Sequence, residues 1–68
     1  MTVKEFYEQE KSKYPESIRM VIVSNEETED HDFADEIAEL YGHRELIEGY
    51  PLKLATGEIV LVAETKEE

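Results

Sequence analysis

The chain has 68 residues, 18 of them Asp or Glu and 7 Lys or Arg, so it carries a net charge of −11 at pH 7 while 40% of it is hydrophobic. That length fits one small domain, which hides only about 60% of the surface its unfolded chain exposes, and with no Cys neither a disulfide nor a Cys-based zinc site can reinforce it. The charge opposes direct binding to nucleic acid or to an anionic membrane, and the longest apolar run, residues 59–63, is far too short to span a bilayer.

Thr2 and Glu5 have capping-box spacing, which starts a helix over residues 2–13. Its apolar positions Val3, Phe6, Tyr7 and Tyr14 recur at three- and four-residue steps, and Pro15 closes it. Lysines and glutamates alternate on the other side, as on an ordinary solvated face. Residues 18–24 read as a strand, because Ile-Arg-Met-Val-Ile-Val is rich in β-branched side chains. Ile18, Met20 and Ile22 point one way and Arg19, Val21 and Val23 the other, so both sides are largely apolar and the strand belongs inside a sheet.

Residues 25–30 read as a polar, acidic connection into a second helix capped by Thr28 or Asp30. Phe33, Ile37, Leu40 and Tyr41, with Ala34 and Ala38, form its buried stripe, and Gly42 ends it in a left-handed conformation. Residues 43–49 are ambiguous between strand and irregular chain, since Leu46 and Ile47 are adjacent rather than alternating. Residues 50–55 and 58–64 then form a hairpin about Thr56-Gly57, in which Pro51 places its strand at an edge or puts its own nitrogen outside the pairing. Gly42, Gly49 and Gly57 read as isolated turn residues, and residues 65–68 as a frayed tail behind a single domain at 1–64.

The expected architecture is a small α+β domain of order α-β-α-β-β, with a mixed sheet of about three strands, a C-terminal hairpin and two short helices. The helices can share one sheet face or take one each. If they share one, Val21, Val23, Val60 and Val62 lie exposed on the other, and such a patch suggests a homodimer face.

The acidity is local. Between Arg19 and Arg44 there is no Lys or Arg, and the eight acids Glu26, Glu27, Glu29, Asp30, Asp32, Asp35, Glu36 and Glu39 fall inside that window. On the second helix Asp32, Asp35, Glu36 and Glu39 are spaced by three and four, which makes a ridge opposite the buried stripe. Like charges so spaced cost the helix about 1 to 2 kcal/mol at low salt, so helix stability alone does not select the pattern. One reading is a solubilising face. The other is a surface for a basic partner: carboxylates about 5 Å apart along a helix can stand in for phosphates and compete for the groove of a nucleic-acid-binding protein. In size and charge, though in no motif, the chain resembles phage-encoded inhibitors that mimic DNA.

Chemistry is sparse by comparison. Residues 25–36 lack the spacing and the glycine of a calcium loop, and Asp30-His31-Asp32 points its ligands apart. Ser12, Ser17 and Ser24 sit in no nucleophile motif, and no phosphate-binding glycine loop is present. The expectation is a non-enzymatic, cofactor-free and metal-free protein-binding module of the cytoplasm. It would act through the acidic loop and ridge on a basic protein, or as a homodimeric adaptor through its apolar sheet face. Among the tyrosines, Tyr50 beside Pro51 is the candidate interface residue.

Overall fold

Thr2 opens the first helix, α1 (Val3–Glu10), through the full capping box: the Glu5 amide donates to Thr2 Oγ1 at 3.3 Å and the Thr2 amide to Glu5 Oε1 at 2.8 Å. A 3-10 turn (Lys11–Lys13) continues it to Tyr14. The computed structural model describes residues 1–66, and the rest of the chain condenses behind α1 as β1 (Arg19–Ser24), β2 (Glu27–Phe33), α2 (Ala34–Tyr41), β3 (Leu46–Lys53) and β4 (Ile59–Thr65). The four strands make one mixed sheet in the order β2-β1-β4-β3. β1 and β4 run parallel at its centre, and each is flanked by an antiparallel hairpin partner. Among the described residues no helix is long and apolar enough to cross a membrane.

The architecture is thus a small α+β domain, with a fourth strand where the expected acidic connection stood. Asn25 and Glu26 both adopt positive φ, 53° and 64°, the twist a two-residue hairpin needs. The chain folds straight back and residues 27–33 pair along β1 as far as Phe33, opposite Arg19. Asp and Glu have low strand propensity, but one central, apolar neighbour supplies the ladder that their own sequence does not announce. The order is therefore α-β-β-α-β-β. Neither Thr28 nor Asp30 caps α2: Phe33 holds the cap position without a side-chain bond, and the Ala34 amide donates to the Ile18 carbonyl at 2.9 Å.

Both helices lie on one face of the sheet. Val3 and Phe6 from α1 and Ala34 and Ile37 from α2 pack with Met20, Ile22, Leu61 and Ala63, the inward residues of the central strands. Tyr7, Tyr14, Tyr41 and Leu46 close the margins. Phe33 and Leu40, expected in the buried stripe, are 40% and 62% exposed. Phe33 belongs to the end of β2 and not to the helix, and two turns of α2 bury only Ala34, Ile37 and Ala38 fully.

Two glycines serve close approach, Gly49 within a strand and Gly42 in the turn after α2, which the Arg44 amide closes on the Tyr41 carbonyl at 3.0 Å. Gly42 ends α2 in right-handed geometry, φ −58°, and not in the left-handed conformation the sequence suggested. A Cβ there would lie 3.1 Å from Lys4 Cβ and 2.1 Å from the Ala38 carbonyl oxygen, and the Lys4 amide donates to the Gly42 carbonyl at 3.2 Å, so the helices touch at this point. Gly49 lies within β3 beneath the Phe6 ring. Gly57, at φ +92°, is a turn residue as expected.

The ambiguous stretch before Gly49 is the start of β3, and the register slips between Leu46 and Glu48. That irregularity accounts for the adjacent Leu46 and Ile47: Leu46 packs on the core while Ile47 turns out to 63% exposure. β3 is an edge strand, the first of the two placements open to Pro51. Thr65, expected in the tail, ends β4 opposite Ser24 with its hydroxyl donating to the Val23 carbonyl at 3.3 Å. Lys66 follows with its amide on the Glu45 carbonyl. The rest of that tail, residues 67 and 68, lies outside the described residues.

Candidate functional site

With both helices on one side, the sheet's other face is left open, and its residues form a grid fixed by register. Across the sheet, Phe33, Arg19, Val60 and Leu52 make one row and His31, Val21, Val62 and Tyr50 the next. Thr28, Val23, Glu64 and Glu48 make the third. The first two rows are free of carboxylate, and Glu58, on the turn before β4, stands beyond the first row, its carbonyl accepting from the Leu54 amide at 2.7 Å. The grid encloses a shallow concavity of about 520 Å³.

The four valines expected on this face are all there, but two are not exposed. Val60 and Val62 are each 5% exposed because they sit on a central strand, with Leu52 and Tyr50 directly beside them on β3. They form the floor. The accessible apolar surface is instead Tyr50, Leu52 and Leu54, at 36%, 46% and 37% exposure, on one side of the half-buried Val21 and Val23, with Phe33 on the other. The alternation Tyr50-x-Leu52-x-Leu54 carries that signal in the sequence, where Tyr50 alone stands out as an interface residue. Arg19 lies on the Phe33 ring, 4.8 Å from its centroid, which holds the cation flat against the face.

The acids divide into three groups. Glu26 occupies the tight turn and Glu27 opens β2. Glu29 and Asp30 are internally engaged: both terminal guanidinium nitrogens of Arg44 donate to the Glu29 carboxylate, and the Tyr41 hydroxyl donates to Asp30 Oδ2 at 2.9 Å. Arg44 also stacks on Tyr41, so these four side chains bind β2 to the end of α2. The hydrogen bond from Arg44 holds the Glu29 carboxyl below its usual range, and the bond to Asp30 pushes the Tyr41 hydroxyl up.

Asp32, Asp35, Glu36 and Glu39 make up the third group, although Asp32 lies at the end of β2 and not on the helix. The cluster forms all the same. Glu36 is held above its ordinary value chiefly by the charge of Asp32, then by a hydrogen bond with it, with Asp35 and Glu39 adding to the effect. The groove between the helices, about 600 Å³, brings Glu5 and Glu8 alongside Asp35 and Glu39, around Lys4. That extension is not visible in the sequence, where α1 reads as an ordinary solvated face. Both added acids have partners, Glu5 in the cap and Glu8 with Lys11 Nζ at 2.8 Å.

β2 also shows what some of its carboxylates do locally. The amides of His31 and Phe33 donate to Oδ1 of Asp30 and of Asp32, at 2.8 and 2.7 Å. Two backbone donors of an edge strand are thereby occupied, which blunts pairing with another chain. Among the described residues no three His, Asp or Glu side chains converge to hold a metal ion. Compared with known proteins, the chain matches no family model, no curated protein and no solved structure.

Proposed function

We propose that this protein is a small module that acts by binding another protein chain through the open face of its sheet, and not by catalysis. The observation that carries the reading is the placement of both helices on one side. Tyr50, Leu52 and Leu54 are thus left half-exposed around a valine floor. Apolar side chains grouped in a concavity, ringed by Thr28, His31 and Glu58, have the composition of an interface core with a polar rim. On this reading much of the acid keeps a chain with one sticky face dispersed and its β2 edge unpaired.

A photoreactive side chain placed at Leu52, and separately at Glu39 on the opposite side, tests the proposal in cells. Cross-links from position 52, unchanged in high salt, support the sheet face; cross-links from position 39 alone overturn it.

A second reading keeps the acids as the binding surface, with the protein modulating a nucleic-acid-binding protein by occupying its basic groove. The observation in its favour is the concentration of Asp32, Asp35, Glu36 and Glu39, strong enough to raise Glu36. It predicts partner binding that falls steeply as salt rises. Replacing those four acids by Asn or Gln with no loss of affinity would retire it.

A further inference from the structure

The sheet-face reading leaves open what covers the face, and the inference here rests on that reading. We propose that the occupant is a second copy of this chain, in a sheet-on-sheet dimer whose two-fold axis runs along the strands between β1 and β4.

Charge and edge chemistry narrow the choice first. Two copies at −11 repel one another over most of their surface, and the first two rows of the grid are where carboxylates are missing. Edge-to-edge association is opposed at both ends, by the occupied amides of β2 and by Pro51 on β3. Face-to-face packing of two sheets is what remains, with the layers about 10 Å apart and strands roughly aligned.

Register then selects the axis. A two-fold along the strands lays β1 on β4 of the second copy and β2 on its β3, with each row kept in place. Val21 then meets Val62, His31 meets Tyr50, and Phe33 meets Leu52. Arg19 lies over Val60 and extends toward Glu58, two residues earlier in the chain, on the turn that precedes β4. Every contact occurs twice, as an isologous interface requires, and each copy's one cation on the first two rows finds a carboxylate. In the third row this arrangement sets Glu64 on Val23 but Glu48 on the hydroxyl-bearing Thr28, whereas a two-fold across the strands would set both carboxylates on apolar residues, Glu64 on Val60 and Glu48 on Leu52. The sheet supports the first arrangement in another way: β1 and β4 are parallel and their outer partners both antiparallel. Strand directions therefore match across the interface.

The dimer also meets a need of the fold. Twelve apolar residues are buried in the described chain, two of them the floor valines of this face. A core of that size leaves a chain of this length marginal, and burying Tyr50, Leu52 and Leu54 adds to it.

Sedimentation velocity over a concentration series, up to about 1 mM, reads the association directly. The expected result is a concentration-dependent dimer that strengthens in higher salt, because screening relieves the overall repulsion. Leu52→Asp should abolish it. Arg19→Glu and Glu58→Arg should each weaken it by about 10-fold, and the two together should restore it, since the pair is re-formed with its signs exchanged. Glu58 is exposed on a turn, so its variant keeps the test valid if Leu52→Asp fails to fold, which thermal melting reports. A wild-type chain that stays monomeric throughout overturns the second copy. Cross-links from position 52 to a different protein would then leave the sheet-face reading standing, and no cross-links from that position would retire both. A dimer indifferent to both charge reversals overturns the proposed axis.

Discussion

The ring of Phe6 lies so close to the backbone of Gly49 that a Cβ at that position would meet three ring carbons at 2.7 to 2.8 Å. Glycine is used there because α1 must reach the sheet across β3, and any side chain on that side of the strand would lift the helix away. Gly49→Ala should cost about 1 to 3 kcal/mol by overpacking, measured by urea unfolding. Adding Phe6→Leu should recover part of that loss, as contacting residues couple. A double variant as unstable as the two single losses combined would show that the contact is not the cause.

Stability should peak on the acid side of neutrality at low salt. Glu36 is raised in the folded protein, so the unfolded chain releases that proton at lower pH. As pH rises through the interval, folding is penalised, and the penalty persists at pH 7. Acidification relieves it. Glu5, Glu8 and Glu29 are lowered, by the Thr2 amide, by Lys11 and by Arg44 respectively, and their stabilisation is lost as pH falls through their folded values. The expected maximum lies between the lowered titrations of Glu5, Glu8 and Glu29 and the raised titration of Glu36, and Glu36→Gln should flatten the rise toward it. Urea midpoints across a pH series check both points.

At the β1–β2 turn, Asn25 and Glu26 hold positive φ without being glycine. Glu26→Gly should therefore stabilise the protein by about 0.5 to 1 kcal/mol, the relieved left-handed strain being partly offset by a more flexible unfolded chain. The melting temperature should rise. A fall would mean that the Glu26 side chain makes a contact that outweighs the strain.

The capping box joins α1 to its own first turn at a place where the chain also meets the segment entering β3, through the Thr2–Glu45 bridge just before that strand and the Leu46 amide on the Met1 carbonyl at 2.7 Å. Thr2→Ala should cost about 1 kcal/mol, whereas Thr2→Ser should cost little because the hydroxyl is kept. Chemical denaturation of the two variants side by side is the check.

Features governed by neighbours along the chain are legible in the amino-acid sequence by itself. The Thr2–Glu5 cap, the interior strand at Arg19–Ser24, the edge position of Pro51 and the turn at Gly57 all follow from local chemistry: a capping hydroxyl, β-branched side chains, a missing amide, a free Cβ position. β2 is not legible in that way. Its sequence, Glu-Thr-Glu-Asp-His-Asp-Phe, has neither apolar alternation nor strand propensity. It is a strand only because the ladder of β1 lies beside it and Asn25-Glu26 turns the chain back. Gly49 and Gly42 look like punctuation because close approach is a property of two segments, and one segment carries no trace of the other. The number and spacing of the acids are sequence properties, but their neighbourhoods are assigned by the packing of β2 against α2, which gives Glu29 to Arg44, Asp30 to Tyr41 and Asp32 to Glu36. Above all, the chain specifies two apolar sides for each central strand, while the crossing of both helices over one of them leaves the other side open.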